Sequence, residues 1–161
     1  MADDDGIRLL LEQEGPYAFK VTFEGKGLEA LHTDEDPPLG GGSGPGPADL
    51  LLAGVVNCLS SSLLFALRKF KNTPGPIRAE ITARKQRNTA GRWRIPRAQA
   101  TITLSDRAAD LGNFERVMAQ FEEFCIVTQS VREGITVDVT VVDADGVVFV
   151  PTTPPKGETG A

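Results

Sequence analysis

The sequence predicts an α+β domain with a mostly antiparallel sheet and one long buried helix. Three observations predict this class. Several short segments alternate apolar and polar residues, one long segment is apolar throughout, and the strand-like segments lie both before and after it. Elements in this order are typical of α+β domains. At 161 residues the chain is long enough to bury a hydrophobic core of ordinary size.

The amino-terminal third is predicted to form three short strands. Residues 7–11, 18–23 and 28–32 are apolar or alternating, and Gly- and Pro-containing turns separate them. Residues 34–47 follow as a loop rich in Pro, Gly and Asp. A loop of this length in a compact domain is usually functional or mobile. Its glycines at 40–44 lack the Lys and Ser/Thr of a phosphate-binding loop, so we expect a flexible loop there.

The clearest predicted helix covers residues 47–71. Pro47 suits the first turn of a helix, and Asp49 places a carboxylate near the positive end of the helix dipole. Apolar residues cover nearly the whole circumference, which is typical of a helix buried in the middle of a protein. Cations complement the dipole at its carboxyl end: Arg68, Lys69 and Lys71.

The remaining segments complete the predicted order of elements. Two strands at 77–86 and 93–104 are joined by a hairpin loop at 88–91. A helix at 111–124, capped by Asp106 or Asp110, and a short helix from just past Cys125 to Gly134 come next. A strand at 135–142 and a turn at 143–146 that leads into 147–150 complete the order. We expect residues 1–150 to form a single domain and residues 151–161 to form a flexible polar tail.

The charge of the chain argues against nucleic-acid binding. The formal net charge is -5, whereas neutralising phosphates requires a surplus of Lys and Arg. Six cations nevertheless fall in one short stretch. We interpret this stretch as the solvated face and tip of a β-hairpin rather than as a nucleic-acid site. They are Arg84, Lys85, Arg87, Arg92, Arg94 and Arg97.

Neither a membrane segment nor a metal site is predicted. No apolar run is expected to be long enough to span a bilayer, and the acidic amino terminus differs from a secretory signal, so we expect a cytoplasmic protein with no membrane partner. His32 is the only histidine and is expected to be an ordinary strand-end residue. A zinc site made of His32, Cys58 and Cys125 would lack a recognisable spacing, so a zinc site is not favoured.

The only two cysteines are the chemically distinctive residues. A free cysteine in a reducing compartment is often only a small apolar core residue. Cys58, however, lies in the middle of the apolar helix and precedes three serines at 60–62, which either line a polar pocket or bond back to the helix. Cys125 lies between two predicted helices, where unpaired N–H groups can lower the pKa of a thiol. Their spacing alone indicates no redox motif.

Two motifs around these cysteines resemble those of a known family. Residues 47–59, PADLLLAGVVNCL, are similar to the central helix of the OsmC/Ohr family of hydroperoxide reductases, in which a Pro and a carboxylate open the helix and the first Cys follows. Residues 125–131, CIVTQSV, resemble the second motif of the family, although Ile126 and Thr128 stand where Pro and Ser are usual. The order of the elements matches the family over residues 6–150.

This resemblance implies an antiparallel sheet wrapped around a long central buried helix, in an intertwined homodimer with its sites at the subunit interface. It also implies a cofactor-free thiol peroxidase that serves the response to oxidative stress. Cys58 would attack an organic or fatty-acid hydroperoxide and become a sulfenic acid, and Cys125 would resolve it as a disulfide. An external dithiol would reduce that disulfide. The two α-carbons must then lie within about 7 Å of each other.

The groups that would activate Cys58 are where the sequence departs from the family. The family supplies an Arg from an early strand, oriented by a Glu that opens the helix. Here Asp49 is the only carboxylate available, and it is either a member of the catalytic site or a first-turn helix residue. Arg8 and Lys20 are the candidate cations, although Lys lacks the planar fork of Arg.

Without a nearby cation, burial raises the pKa of Cys58 and leaves its thiol inert. A second function therefore stays open, which is a protein of this fold that binds a small apolar ligand or a partner without peroxidase turnover. A third possibility is that both cysteines are core residues of a domain with an unrelated role. The distance between the two thiols and the identity of the nearest cation distinguish these alternatives.

Overall fold

The computed structural model describes residues 6–135, 137–142 and 144–151. Two compact units divide the chain, Met1–Gln129 and Ser130–Ala161. The strands are β1 (Leu9–Gln13), β2 (Phe19–Phe23), β3 (Leu31–Thr33), β4 (Ile77–Ala83), β5 (Gln86–Arg87), β6 (Trp93–Arg94), β7 (Ala98–Leu104), β8 (Val141–Val142) and β9 (Val148–Phe149). The helices are α1 (Pro47–Lys69), α2 (Phe114–Gln120) and α3 (Ile126–Glu133), with short 3-10 turns at Ala108–Asp110 and Phe121–Phe124.

The amino-terminal sheet is antiparallel with the order β1-β2-β3. Its register pairs Leu11 with Val21 and Phe19 with Thr33. The first and third strands begin two and three residues later than the sequence pattern predicts. Because every residue of β1 is exposed, apolar patterning does not define its ends. The turn defines them instead, since the Glu14 N–H donates to the Ala18 carbonyl at 2.9 Å and fixes which residues face each other.

Strands β4 and β7 form a regular ladder that runs from Ile77 opposite Leu104 to Ala83 opposite Ala98. The two longer strands predicted here are each interrupted, and a separate short pair, β5 and β6, continues the hairpin outwards. Pro96 lies in the interruption and has no N–H to donate to a ladder. The predicted cluster of cations lies on this exposed outer hairpin, where the Arg87 guanidinium stacks 4.4 Å from the centre of the Trp93 ring.

The loop before α1 is held together by the hydrogen bonds of one carboxylate, and its flexibility stays a prediction. Asp34 is buried and accepts hydrogen bonds from the N–H groups of Glu35 at 2.9 Å, Gly41 at 2.9 Å and Ser43 at 3.2 Å. The Ser43 hydroxyl donates to the same carboxylate at 3.0 Å. Glycine is required at position 44, because a Cβ there would lie 2.5 Å from the His32 carbonyl oxygen.

Helix α1 begins at the predicted residue and ends two residues early. Asp49 accepts a hydrogen bond from the Gly46 N–H at 2.9 Å and so satisfies a free donor at the helix start. At the other end Lys71 adopts a positive φ of 64°, and the Asn72 N–H bonds back to the Leu67 carbonyl at 3.1 Å. Such a left-handed residue followed by a backward hydrogen bond terminates a helix.

The hydrophobic core is built on the carboxyl half of α1. Its fully buried members there are Ala66 and Leu67, which pack with Leu63, Leu111 and Val117. The amino half of the helix is more open. The side chain of Leu51 is 45% exposed, although the sequence predicts a helix buried along its length. Within one chain α1 is buried mainly along its carboxyl half, because the elements that form the core pack there.

Helix α1 is also long and apolar enough to cross a membrane when judged by length and composition alone, with a mean hydropathy of 2.1. The prediction that no apolar run reaches this length is therefore wrong. The core helix of a globular domain satisfies the same criterion. Because Leu63, Ala66 and Leu67 form the centre of the core, we interpret α1 as such a helix.

The helical region after β7 is less regular than predicted. The helix predicted over 111–124 is confirmed only in part, as α2 and the 3-10 turn Phe121–Phe124. Asn113, at a φ of 57°, precedes α2, so neither predicted aspartate caps it. Asp106 instead accepts a hydrogen bond from the Gly75 N–H at 2.7 Å. Helix α3 lies where the sequence predicts a short helix after Cys125.

In the second unit, β8 and β9 pair antiparallel, with Val141 opposite Phe149. The strand predicted over 135–142 is thus seen only at its end, and residues 136 and 143 lie outside the described residues. Most of the predicted tail, 152–161, also lies outside them. The single domain over 1–150 stays a prediction.

We expect Asp34→Asn to lower the Tm at neutral pH, because an amide keeps only one oxygen and would turn its N–H₂ group either toward the Glu35 N–H or toward the donors of Gly41 and Ser43. The hydrogen bond from the Ser43 N–H is the main cause that lowers the pKa of Asp34 below 3.8. Burial raises this pKa, but the hydrogen bonds from the Ser43 hydroxyl and from the Gly41 and Glu35 N–H groups lower it further. A carboxyl whose pKa is lower in the folded protein than in the unfolded chain stabilises the folded protein at any pH above the pKa of the unfolded chain. This stabilisation is lost as the pH falls through the pKa of the folded protein.

Calorimetry across a pH series measures this effect. The difference in Tm between the wild type and Asp34→Asn should shrink as the pH falls below 3.8. Asp36→Asn, at an exposed position of the same loop, is the control. A difference that stays constant across the series would contradict this account of the loop.

Candidate functional site

The thiols of Cys58 and Cys125 lie close enough together for each one to shift the pKa of the other. Cys58 lies in the middle of α1, and Cys125 immediately precedes α3. Both cysteines are free, the first partly exposed and the second fully buried. Residues 67 positions apart thus form one site, and the pair results from the tertiary fold rather than from a local motif.

Cys125 is held in place by the first turn of α3. Its carbonyl accepts the first helical hydrogen bond, from the Gln129 N–H at 3.0 Å. Its sulfur takes the position of an N-cap side chain, since the Thr128 N–H donates to Sγ at 3.4 Å. The Thr128 hydroxyl oxygen lies 3.0 Å from the same sulfur. In the thiol form Cys125 Sγ–H donates to the Thr128 hydroxyl oxygen, and after deprotonation that hydroxyl can turn and donate to the thiolate beside the Thr128 N–H.

These donors make Cys125 the more acidic thiol of the pair. Burial alone would raise its pKa, but hydrogen bonds from the Thr128 hydroxyl, the Cys58 thiol, the Thr128 N–H and the Ser62 hydroxyl together lower the pKa below its ordinary value. Hydrogen bonds to the charged form favour that form. This direction agrees with the sequence prediction for a thiol at the start of a helix.

The pKa of Cys58 moves in the opposite direction. Burial is the largest cause that raises it, and the hydrogen bond to Cys125 and the charge of Cys125 raise it further. The Val127 N–H and the Ser62 hydroxyl lower it, but to a smaller extent. In the singly deprotonated pair the proton therefore stays mainly on Cys58, which donates to the Cys125 thiolate.

Ser62 is the one serine of the 60–62 run that reaches the thiols. It is buried one helical turn after Cys58 and hydrogen-bonds to both sulfurs. The Ser60 hydroxyl donates to the Val56 carbonyl at 2.8 Å, and Ser61 donates to the Asn57 side chain at 3.5 Å. The sequence left open whether these serines line a polar site or bond back to the helix, and the structure divides the two roles among them.

The candidate cations are engaged elsewhere in the chain. Arg8 forms an ion pair with Glu24 at 3.5 Å, and Lys20 forms one with Glu12 at 2.7 Å. The hydrogen bond from Lys20 to Glu12 is the main cause that raises the pKa of Lys20. The groups that set the pKa values of the two cysteines in the described part of the chain are hydroxyls, backbone N–H groups and the thiols themselves.

Asp49 and His32 also bind other groups. Asp49 bonds to the Gly46 N–H and lies nine residues before Cys58 on the same helix, which places it roughly 13 Å away along the helix axis. His32 Nδ1 lies 2.7 Å from a Glu14 carboxylate oxygen, on exposed strand residues. The catalytic roles predicted for Cys58, Cys125 and Asp49 stay predictions.

Sequence reasoning named Thr128 only as a departure from the family motif, and it did not single out the Val127 N–H. A signal for Thr128 was present, since Cys125 and Thr128 stand in the i, i+3 relation of an N-cap residue and its N3 partner. The donor at Val127 could not be found in this way. Its N–H meets a sulfur on another helix, and only the packing of the two helices creates that contact.

The OsmC-like protein family matches residues 40–140, a stretch that includes both cysteines. No curated protein matches the chain. The fold is similar to that of an OsmC-like protein from Mycoplasma pneumoniae, with a TM-score of 0.65 and 12% identity over 80% of this chain and 89% of that one.

Two further solved structures carry names that mention hydroperoxide resistance. An OsmC-like hydroperoxide resistance protein from Jannaschia sp. shares 18% identity over 88% of this chain and 94% of its own, with a TM-score of 0.52. An organic hydroperoxide resistance protein from Elizabethkingia anophelis shares 16% identity over 82% and 91%, with a TM-score of 0.58. At these identities the likeness shows the fold. The chain belongs to the OsmC-like protein family and has its α+β fold.

We expect the two single-cysteine variants to titrate on opposite sides of the ordinary thiol pKa of 9.0. In Cys58→Ser the remaining Cys125 keeps its Thr128 donors, and the introduced hydroxyl can still donate, so its pKa should stay below 9.0. In Cys125→Ser the remaining Cys58 keeps the burial that raises its pKa above 9.0. Ultraviolet absorbance of the thiolate against pH measures both values, and the reverse order would contradict the site described above.

Proposed function

We propose that the protein is a thiol-dependent peroxidase that reduces organic or fatty-acid hydroperoxides through Cys58 and Cys125. The observation that carries the proposal is the close approach of these two thiols at the start of α3, where each shifts the pKa of the other. Membership in the OsmC-like family supports it, as do the names of the structural neighbours that mention hydroperoxide resistance. These names also support a role in the response to oxidative stress, which we expect to be exercised in the cytoplasm.

The proposed reaction uses the two thiols in sequence. The proton of Cys58 passes to Cys125 along their hydrogen bond, and the Cys58 thiolate attacks one oxygen of the hydroperoxide. An S–O bond forms to the terminal oxygen, the O–O bond breaks, and the leaving alkoxide takes the proton from Cys125 and departs as the alcohol. Cys58 is then a sulfenic acid, which the Cys125 thiolate attacks to form a disulfide, and the released hydroxide takes up a proton from solvent to become water. An external dithiol reduces the disulfide.

The division of labour follows from exposure and hydrogen bonding. Cys58 is partly exposed and can meet a substrate, whereas Cys125 is fully buried and can react only with its neighbour. Ser62 and the Val127 N–H are the donors that stabilise the Cys58 thiolate once its proton has moved. The proposal therefore assigns the attack on the hydroperoxide to Cys58 although Cys125 is the more acidic thiol.

Apolar surroundings favour organic substrates over hydrogen peroxide. Phe124 directly precedes Cys125, and its ring packs edge-on against Phe65 of α1 with 5.2 Å between the ring centres. The Phe65 side chain is 55% exposed and is available to an apolar substrate or to a second chain. An alkyl or aryl group of a hydroperoxide gains free energy from such contacts, whereas hydrogen peroxide has no apolar part.

One observation favours a second function. The pKa of Cys58 is raised, and the thiol donors within the described part of the chain are neutral groups. A thiol in that state is a weak nucleophile. It suits a protein that binds a small apolar ligand or partner through the same apolar surface without turnover.

We also propose that the chain forms an intertwined homodimer. The exposed apolar residues on the amino half of α1, such as Leu51, support this, because a second chain can cover them. Within one chain Asp49 is too far along α1 to touch Cys58. Asp49 can therefore take part in the reaction at Cys58 only if it comes from the second chain.

Peroxide consumption distinguishes the two functions. With excess dithiothreitol, the wild type should reduce cumene hydroperoxide over many turnovers, whereas Cys58→Ser should not reduce it at all. In a separate reaction without any reductant, Cys125→Ser should consume one equivalent per chain and keep a sulfenic acid that dimedone labels, because no resolving thiol is present, whereas the wild type should form the disulfide. Ser61→Ala, which alters an exposed hydroxyl bonded to Asn57, should match the wild type. Equal consumption by Cys58→Ser would refute the peroxidase and favour the ligand-binding function.

Asp49→Asn tests the role of that carboxylate in the site. If Asp49 of the second chain takes part, the variant should lose peroxidase activity by more than its loss of folded protein explains. The helix-terminal charge itself contributes only about 0.3–1 kcal/mol to stability. The kcat/KM for cumene hydroperoxide is measured where circular dichroism shows equal folding. Full activity under those conditions would leave Asp49 as a helix-start residue only.

A further inference from the structure

We propose that the Cys58–Cys125 disulfide is opened from one side only, with the reductant bonding to Cys58 and Cys125 leaving as a thiolate held by Thr128. The inference rests on the proposed function only for the formation of this disulfide in the cell. It concerns the reductive half of the cycle and makes Thr128 a positioning residue that acts through Cys125.

Access to the two sulfurs is unequal. Thiol–disulfide exchange requires the attacking sulfur to reach one sulfur of the disulfide while the other leaves. Cys125 has no exposed surface, because the first turn of α3 and its neighbours enclose it. Cys58 is partly exposed on α1. An external thiolate can therefore reach the Cys58 sulfur and not the Cys125 sulfur.

The preference of the leaving group points the same way. A thiol that is stabilised as a thiolate leaves faster. The Thr128 hydroxyl lies 3.0 Å from the Cys125 sulfur and its N–H 3.4 Å, so both donors are in place to receive a negative charge there. Ser62 is a third donor in contact with this sulfur. The sulfur that is hardest to attack is thus the one best suited to leave.

A dithiol reductant opens the disulfide in two steps. Its thiolate forms a bond with the Cys58 sulfur, the Cys58–Cys125 bond breaks, and the electron pair of that bond stays on Cys125 as a thiolate. The second thiol of the dithiol then loses its proton and attacks the reductant's own sulfur in the mixed disulfide. The bond to Cys58 breaks, Cys58 takes up the electron pair and a proton, and the reductant leaves as a cyclic disulfide.

This geometry agrees with the dithiol reductant that the family resemblance implies. After the first step the Cys125 thiolate lies beside the mixed disulfide and can attack Cys58 again, which expels a monothiol and restores the disulfide. A dithiol escapes this reversal, because its second thiol completes the reaction within the same molecule. A dithiol should therefore reduce the protein much faster than a monothiol at the same thiol concentration.

The first experiment locates the mixed disulfide. The wild type is oxidised with diamide, so that peroxidase turnover is not needed, and then exposed briefly to β-mercaptoethanol and quenched with acid and N-ethylmaleimide. Trypsin separates the cysteines into peptides 27–68 and 117–132. We expect β-mercaptoethanol on Cys58 and N-ethylmaleimide on Cys125. The opposite pattern, equal labelling of both, or no disulfide after diamide would overturn the proposal.

The second experiment tests Thr128 itself. Thr128→Val keeps the shape and the N–H but removes the hydroxyl, and Thr128→Ser restores a hydroxyl. Because a hydrogen bond to a charged group is stronger than a neutral one, we expect Thr128→Val to slow the opening of the disulfide by dithiothreitol by about tenfold. Thr128→Ser should recover most of that rate. Ser60→Ala, whose hydroxyl donates to Val56, is the control and should match the wild type.

The readouts separate this inference from the proposed function. An unchanged rate in Thr128→Val would overturn the role of Thr128. A protein that forms the Cys58 adduct but does not consume cumene hydroperoxide would refute the peroxidase and leave the one-sided opening intact. If Thr128 has only a structural role, Thr128→Val and Thr128→Ser should both have a lower Tm, and dithiothreitol should open their disulfides at the same rate.

Discussion

The close approach of two sulfurs is the constraint on which this site depends, at the point where the middle of α1 meets the first turn of α3. Cys58 donates to Cys125, and the first turn of α3 supplies a donor to each sulfur, the Val127 N–H to Cys58 and the Thr128 N–H to Cys125. Free N–H groups at a helix start need acceptors in any case. The site therefore satisfies a structural requirement of α3 and stabilises negative charge on sulfur with the same groups.

The rest of the first unit keeps these two helices in position. The carboxyl half of α1 carries the core, in which Ala66 and Leu67 are fully buried, so Cys58 and Ser62 lie on a helix whose far end cannot shift freely. The other end of α1 follows a loop that the buried Asp34 carboxylate holds through four hydrogen bonds. The apolar amino half of α1 is left exposed by the chain itself and is the surface that the proposed second chain would cover.

The chemistry of the site depends on neutral donors rather than on a nearby cation of the described chain. Such donors hold a thiolate well on Cys125, which has Thr128 and Ser62, and less well on Cys58, for which burial outweighs them. This asymmetry links the two proposals. Because its thiolate is stabilised, Cys125 is suited to attack the sulfenic acid of Cys58 and to leave when the disulfide is reduced. The peroxidase requires Cys58 to become a thiolate, whereas the ligand-binding function does not.

The sequence by itself determined the class of fold, the bounds of α1 to within two residues, the short helix after Cys125 and the family, because these depend on local patterning and on residues close in the chain. It did not determine the ends of β1, whose exposed residues carry no pattern, or the break in the outer hairpin. The tertiary structure decided that Ser62 and not Ser60 reaches the thiols, and it decided which thiol is more acidic. It also decided that Arg8 and Lys20 form ion pairs with nearby carboxylates. Each of these outcomes depends on distances of a few ångströms between residues far apart in the chain, and such distances are set only when the helices and the sheet pack.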